Sequence, residues 1–251
     1  DIAVCITPDG VRRPVAVSIL TLMLALTGKL LIKDRITRQG PNGFVARNEH
    51  MGLGLVGRTL GSVGIGNIGA EMFRLAAPLG MKFIAHDPFA DLSLATELGV
   101  DLVDLDKVFA QSDVISINCP LTPDTHHLVN ASRLSQMKPT AYLINTARGP
   151  IVDQVALTQA LRNGSIAGAG LDVFEVEPPA ADDPILTLHN VILTPHALCW
   201  TDQCFGGIGA ADIASILDVS LGQVPVGLLN HEVSERTKFS KKLAAFASQS
   251  T

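Results

Sequence analysis

What this sequence has little of narrows it first. Aromatic residues are 4% of the 251 positions and charged residues 17%, against 47% hydrophobic. There is ample material for a large core, and disordered and fibrous architectures are excluded. Basic charge is short: 19 Lys and Arg stand against 24 Asp and Glu, for a net charge of −5. No Lys/Arg cluster offers a surface that tracks phosphates, so no nucleic acid partner is expected. The four cysteines, Cys5, Cys119, Cys199 and Cys204, are irregularly spaced without a CxxC pair. With His scattered they form no zinc-ligand pattern; no metal is expected, and the thiols read as free in a reducing cytoplasm. A long apolar run is missing too. Residues 15–26, behind Arg12 and Arg13, are interrupted by Ser18 and Thr21 and fall short of the roughly 18 to 20 apolar residues of a membrane span. Lying downstream of a strand-like 2–6, they read as a buried helix rather than a signal peptide, and no membrane association is expected.

Residues 33–50 are polar and rich in Gly, Pro and Arg without a sustained period, which reads as a surface connection or arm. From Arg58 short apolar runs alternate with helical patterns. Strands are expected at 59–65, 82–85, 113–117, 141–145, 167–171 and 191–193, and helices at 68–78, 92–98 and 154–162. Continuous apolar strands such as Val114-Ile115-Ser116-Ile117 suit a sheet covered on both faces, so the expected architecture is α/β, a doubly wound parallel sheet. Residues 201–217 look helical, with no repeat, low-complexity tract or further globular module after them.

Gly64-Ile65-Gly66-Asn67-Ile68-Gly69 ends the first of these strands and opens a helix. In such a G-x-G-x-x-G loop Gly64 permits the tight turn, Gly66 lets the backbone approach a pyrophosphate and Gly69 lets helix pack on strand. The helix N-terminus offers free N–H groups to the anion. Asp87, 18 residues after Gly69 at the end of the next strand, is placed to accept hydrogen bonds from ribose hydroxyls. No Arg or Lys lies between Pro88 and Leu98 to neutralise a 2′-phosphate, which favours NAD over NADP.

Three polar residues follow strands of the second half: Arg148, Glu177 and His196. Hydride transfer to a carbonyl needs a proton donor that titrates near neutrality, the role of His196. Glu177 is suited to orient its ring and favour the imidazolium, and the planar fork of Arg148 to clamp a substrate carboxylate and polarise the carbonyl. Asp172 is open to three readings: orienting a cofactor amide, tuning His196, or a plain strand-end hydrogen bond. His126 and His127 read as surface residues at a helix start. Leu198 and Trp200 read equally as substrate-pocket wall or as core.

The order of these motifs resembles the D-isomer-specific 2-hydroxyacid dehydrogenases, which include glycerate, phosphoglycerate and D-lactate dehydrogenases and glyoxylate/hydroxypyruvate reductases. Besides the glycine loop it covers Asp87-Pro88, Cys119-Pro120-Leu121-Thr122, Asn145-Thr146-Ala147-Arg148-Gly149, Leu171-Asp172-Val173-Phe174-Glu175-Val176-Glu177-Pro178 and Thr194-Pro195-His196. The resemblance implies a Rossmann, NAD-binding fold with only remnants of a second, flavodoxin-like substrate domain. It places the catalytic Arg, Glu and His on Arg148, Glu177 and His196. Cofactor contacts would fall on Gly64, Gly66, Asn67, Ile68, Gly69, Asp87, Cys119, Pro120, Thr125, Ala147 and Asp172. Glu177 rather than Gln sets the chain apart from the similar formate dehydrogenases, and the 55 residues after His196 hold no regulatory domain of the longer phosphoglycerate enzymes. On this basis 1–12 are a remnant of the substrate domain and 13–199 the dinucleotide-binding domain, with helix and arm at 13–57 and Rossmann core at 58–199. Residues 200–251 are a C-terminal helix and tail returning toward the substrate domain. Two departures stand out: most of the N-terminal substrate domain is expected to be missing, and Val17 stands where the family pattern Val-Ala-Glu has Glu.

The implied function is transfer of a hydride between NAD and a small D-2-hydroxy acid or 2-oxo acid, such as glyoxylate or hydroxypyruvate, by a cytoplasmic homodimer. The alternative is an NAD(H)-sensing interaction protein of corepressor type without significant turnover.

Overall fold

A computed structural model of the protein describes residues 2–248; Asp1 of the expected segment 1–12 and the last three residues of 200–251 lie outside the described residues. Strands β1 (Thr59–Val63), β2 (Lys82–His86), β3 (Val100–Leu102), β4 (Val114–Ile117), β5 (Tyr142–Asn145), β6 (Gly168–Leu171) and β7 (Val191–Leu193) form one sheet in the order β3-β2-β1-β4-β5-β6-β7. Each neighbouring pair is parallel. β1 lies between β2 and β4, so the winding reverses there, and open α/β sheets bind ligands at such a switch point.

Side chains alternate across a strand, and here the alternation feeds two cores. Leu60, Val114, Tyr142 and Ile144 pack with Ala16, Ile19, Leu22, Met23 and Leu26 of α1 (Pro8–Thr27), while Val63, Ile115, Ile117 and Leu143 belong to the other cluster. In chain order the remaining helices are α2 (Leu30–Thr37), α3 (Pro41–Val45), α4 (Asn67–Ala76), α5 (Leu92–Glu97), α6 (Leu105–Gln111), α7 (Ala131–Gln136), α8 (Gln154–Arg162), α9 (Asp202–Ser220) and α10 (Thr237–Ala247). α4 brings Met72 and Phe73 to the first core, and α6, α7 and α8 bring Phe109, Leu134, Leu157 and Leu161 to the second. α1 is long and apolar enough to cross a membrane, yet 44% of that stretch is buried within the fold, and its i, i+3, i+7 residues fill a core as expected.

The register sets the level of the functional edge. Val63 lies opposite His86 and Ile117, and Ile117, Asn145, Leu171 and Leu193 continue the row. The next residue of each strand therefore leaves the sheet at one edge: Gly64, Asp87, Asn118, Thr146, Asp172 and Thr194.

The chain divides into two compact units, Val15–Leu198 and Asp1–Pro14 with Cys199–Thr251. In the latter, Leu228, Val233, Phe239 and Leu243 form a small core of their own. α10 supplies two of these four, so the expectation of nothing globular after 217 is corrected. The expected strand at 2–6 is corrected as well. Only one antiparallel bridge, Cys5 to Leu228, forms there, and Ile2, Val4 and Ile6 stay exposed; alternation without a partner strand does not make one. The expected irregular arm at 33–50 is instead α2, α3 and a 3-10 turn at Ala46–Glu49. Gly40, at φ 68°, and Pro41 break it into pieces too short to show a helical period.

Candidate active site

The glycine loop takes its shape from missing side chains. Gly64 has φ 96°, and a Cβ on it would lie 2.8 Å from the Asn118 carbonyl group; on Gly69 it would lie 2.6 Å from the Gly64 oxygen. Gly66 differs, since a Cβ there meets nothing within 4 Å. It opens onto free space at the start of α4, where the first internal bond is Ala70 N–H to the Gly66 carbonyl and no side chain caps the turn. Asn67, Ile68 and Gly69 thus present the unpaired donors of a helix N-terminus. A bare cradle facing uncapped amides fits the pyrophosphate of a dinucleotide. Asp87 accepts from Ile65 N–H at 3.0 Å and from Phe89 N–H at 2.9 Å, so it ties the loop to β2. Each oxygen keeps a lone pair for a ribose hydroxyl.

Across the switch point, burial pushes the Cys119 thiol up to about 11, leaving a neutral group. Thr125 gives its hydroxyl proton to the Pro120 carbonyl at 2.6 Å and accepts from Thr122 N–H at 2.8 Å, which closes the 120–125 turn. No helix starts at His126 or His127. His127 sits at φ 49°, half-buried, with Nε2 2.7 Å from Glu175 Oε1, so the reading of His127 as a helix-start surface residue is corrected.

Beyond β5, the buried Asn145 accepts from Ala147 N–H at 3.0 Å and donates to the Arg148 carbonyl at 2.9 Å. That ring fixes the turn from which the exposed Arg148 side chain projects, with Nη1 on the Ala147 carbonyl at 2.6 Å. Asn145 was not singled out from the sequence; an Asn at a strand end three residues before the Arg was the signal. Beyond β6, the buried Asp172 accepts from the Thr194 hydroxyl at 2.6 Å and from Ala197 and Leu198 N–H at 3.1 and 3.2 Å. It braces the loop in which His196 adopts φ 54°.

The structure brings Glu177 and His196 together, with Nδ1 2.8 Å from Oε2. Glu177 Oε1 accepts from Phe174 N–H at 3.0 Å. Burial alone would raise the Glu177 carboxyl, but the hydrogen bonds from His196 and Phe174 and the charges of His196 and Arg148 outweigh it and hold the group below its ordinary value. An ionised carboxylate only accepts, so Nδ1 carries the proton and Nε2 is the nitrogen left for a substrate. Leu198 packs at the margin of the α1 core. The exposed Trp200 ring lies edge-on to Phe205 at 5.6 Å within the smaller unit. Val17, at the Glu position of the family pattern, is half-exposed on α1.

The NAD binding domain of the D-isomer specific 2-hydroxyacid dehydrogenases matches residues 20–197. The chain belongs to that family. Its cofactor is NAD, and by family it is an NAD-dependent oxidoreductase. It is 40% identical over 229 residues to a glyoxylate reductase from Korarchaeum cryptofilum, covering 90% of this chain and 69% of that protein. It is 37% identical over 221 residues to a D-3-phosphoglycerate dehydrogenase from Archaeoglobus fulgidus, covering 88% of this chain but 41% of the relative. Among solved structures, the NAD-complexed D-isomer specific 2-hydroxyacid dehydrogenase from Lactobacillus delbrueckii ssp. bulgaricus superposes with TM-score 0.80 at 27% identity, covering 91% of this chain and 72% of that one.

Proposed function

We propose that the chain reduces a small 2-oxo acid, glyoxylate or hydroxypyruvate, and oxidises the corresponding D-2-hydroxy acid in reverse, with Arg148, Glu177 and His196 as its catalytic residues. The observation that carries the reading is the Glu177–His196 pair at 2.8 Å, at the sheet edge that also bears the glycine loop. When bound, NAD would supply or take up the hydride. Gly64, Gly66 and Gly69 with the N–H groups of Asn67 and Ile68 would hold its pyrophosphate, Asp87 its ribose, and Cys119, Pro120, Thr125, Ala147 and Asp172 would line its remainder. Arg148 pairs with the substrate carboxylate and draws electron density from the carbonyl. His196, held through Nδ1, gives the proton on Nε2 to the carbonyl oxygen, and the Glu177 carboxylate steadies the ring while it is an imidazolium.

In the same reading residues 13–199 bind the dinucleotide, while 1–12 and 200–251 belong to the substrate domain. The enzyme works in the cytoplasm, consistent with Cys5, Cys119 and Cys204 being thiols rather than disulfide partners. It is a homodimer in which residues 33–50, with Phe44 and Val45 exposed, reach across the two-fold axis; a monomer in sedimentation would contradict this. NADH oxidation with glyoxylate, hydroxypyruvate and pyruvate tests the activity. Turnover that disappears in His196→Ala supports it, whereas NADH binding without turnover on any 2-oxo acid favours a sensing role.

A further inference from the structure

Three described residues other than glycine have positive φ: Lys29, His127 and His196. Such a conformation persists for a side-chain-bearing residue only where its surroundings enforce it. Two of the three are histidines, and each imidazole meets a glutamate of one short strap, Glu175-Val176-Glu177. His196 Nδ1 meets Glu177 Oε2 at 2.8 Å, and His127 Nε2 meets Glu175 Oε1 at 2.7 Å. The strap is held at both carboxylates.

The proposed proton transfer does not use His127, and its bonds run to the framework instead. Its N–H donates to the Pro150 carbonyl at 2.9 Å. The other oxygen of Glu175 accepts from Gln154 N–H at 3.1 Å, and Gln154 Oε1 accepts from Glu175 N–H at 3.1 Å. Gln154 Nε2 then reaches Asp183 at 2.6 Å. Gly149, beside Arg148, packs so closely on Phe174 and Glu175 that a Cβ would collide with the Phe174 carbonyl. One connected set of bonds thus joins the 122–127 turn, the Arg148 turn, the start of α8 and the strap that carries Glu177.

We infer that His127 is a positioning residue, acting through Glu175 to set the strap that presents Glu177 to His196 and the turn that presents Arg148. The inference rests on the reading of those three as the catalytic set. A carboxylate bonded on one oxygen by an imidazole and on the other by a backbone amide has its plane fixed. Without the imidazole Glu175 turns toward water, and a small displacement of acid and clamp lowers rate while leaving cofactor binding intact.

The test compares His127→Ala with His127→Gln in the full chain. Both carry the same backbone strain, but only Gln keeps a donor that reaches Glu175. We expect Ala to lower kcat for 2-oxo acid reduction about ten-fold with NADH affinity within about two-fold, and Gln to recover most of the rate. Nitrogen NMR of the imidazoles gives a second readout: His196 stays an Nδ1–H tautomer in the wild type and the Gln variant and becomes a mixture in Ala. If Ala does not fold, His127→Asn, which tolerates this backbone region but is too short for Glu175, takes its place. Unchanged kcat in the shortened variant, or equal losses in the shortened and Gln variants, overturns the inference. If the wild type turns over no 2-oxo acid, the functional reading fails by itself and the tautomer decides: a change confined to the shortened variant supports positioning, and no change overturns it.

Discussion

At the β1–β2 end of the functional edge the chain makes room by leaving side chains out, whereas at the β5–β7 end it holds side chains in place with buried polar ones. Gly64, Gly66 and Gly69 build the first end, and the buried Asn145 and Asp172 brace the second. A pyrophosphate is recognised by backbone amides that any side chain would cover. A proton donor and a carboxylate clamp instead need orientations that only further hydrogen bonds supply. Substitutions at the two ends should therefore fail in different ways.

The largest expected effect is at the braced end. His196→Ala should lower turnover by about 10² to 10⁴, the usual span of general acid catalysis, with NADH affinity unchanged in fluorescence titration. Asp172→Ala comes next. It strips acceptors from the Thr194 hydroxyl and two backbone N–H groups, which should cost about 2 to 4 kcal/mol in denaturant unfolding and loosen His196 as well. Loss of stability with wild-type turnover would break the link between Asp172 and the site.

At the open end the glycines should separate. Gly64→Ala should destabilise by about 1 to 3 kcal/mol, because it puts a side chain at φ 96° and against Asn118. Gly66→Ala meets open space in the protein and should leave the melting temperature nearly unchanged while weakening NADH about ten-fold or more, the equivalent of about 1.4 kcal/mol. Equal melting shifts for both would erase the distinction.

The smallest expected effect is in pH. The Glu177 carboxyl is held below its ordinary value in the folded chain, so its contribution is fully present above the ordinary carboxylate range and is lost as pH falls through its lower folded value. The wild type should exceed Glu177→Gln in melting temperature at neutral pH, and the gap should close only in acid. Both side chains are more than a third exposed, so the gap should be small. A gap that widens in acid would contradict the assignment.

The glycine loop and the Arg, Glu and His positions were legible because each belongs to a short stretch whose chemistry is local: a turn, a helix start, the residues just past a strand. The other strands announced themselves by apolar runs, even β7 with three residues, while β3, Val100-Asp101-Leu102, carries a charged residue at its centre and made no such run. The bracing was not legible. His127 meets Glu175 across 48 positions and Asp172 meets Leu198 across 26, and these pairs exist only once the register has brought strand ends to one level. Residues 33–50 misled because Gly and Pro end short helices as readily as they fill loops.

Parallel NADH titration and glyoxylate turnover on Gly66→Ala and His196→Ala decide whether the two ends of the sheet edge divide cofactor binding from proton transfer. Gly66→Ala is expected to lose affinity for NADH while keeping turnover at saturating cofactor, and His196→Ala to bind NADH as the wild type does without turning over. Turnover by His196→Ala at the wild-type rate, or NADH binding by Gly66→Ala at the wild-type affinity, would contradict that division.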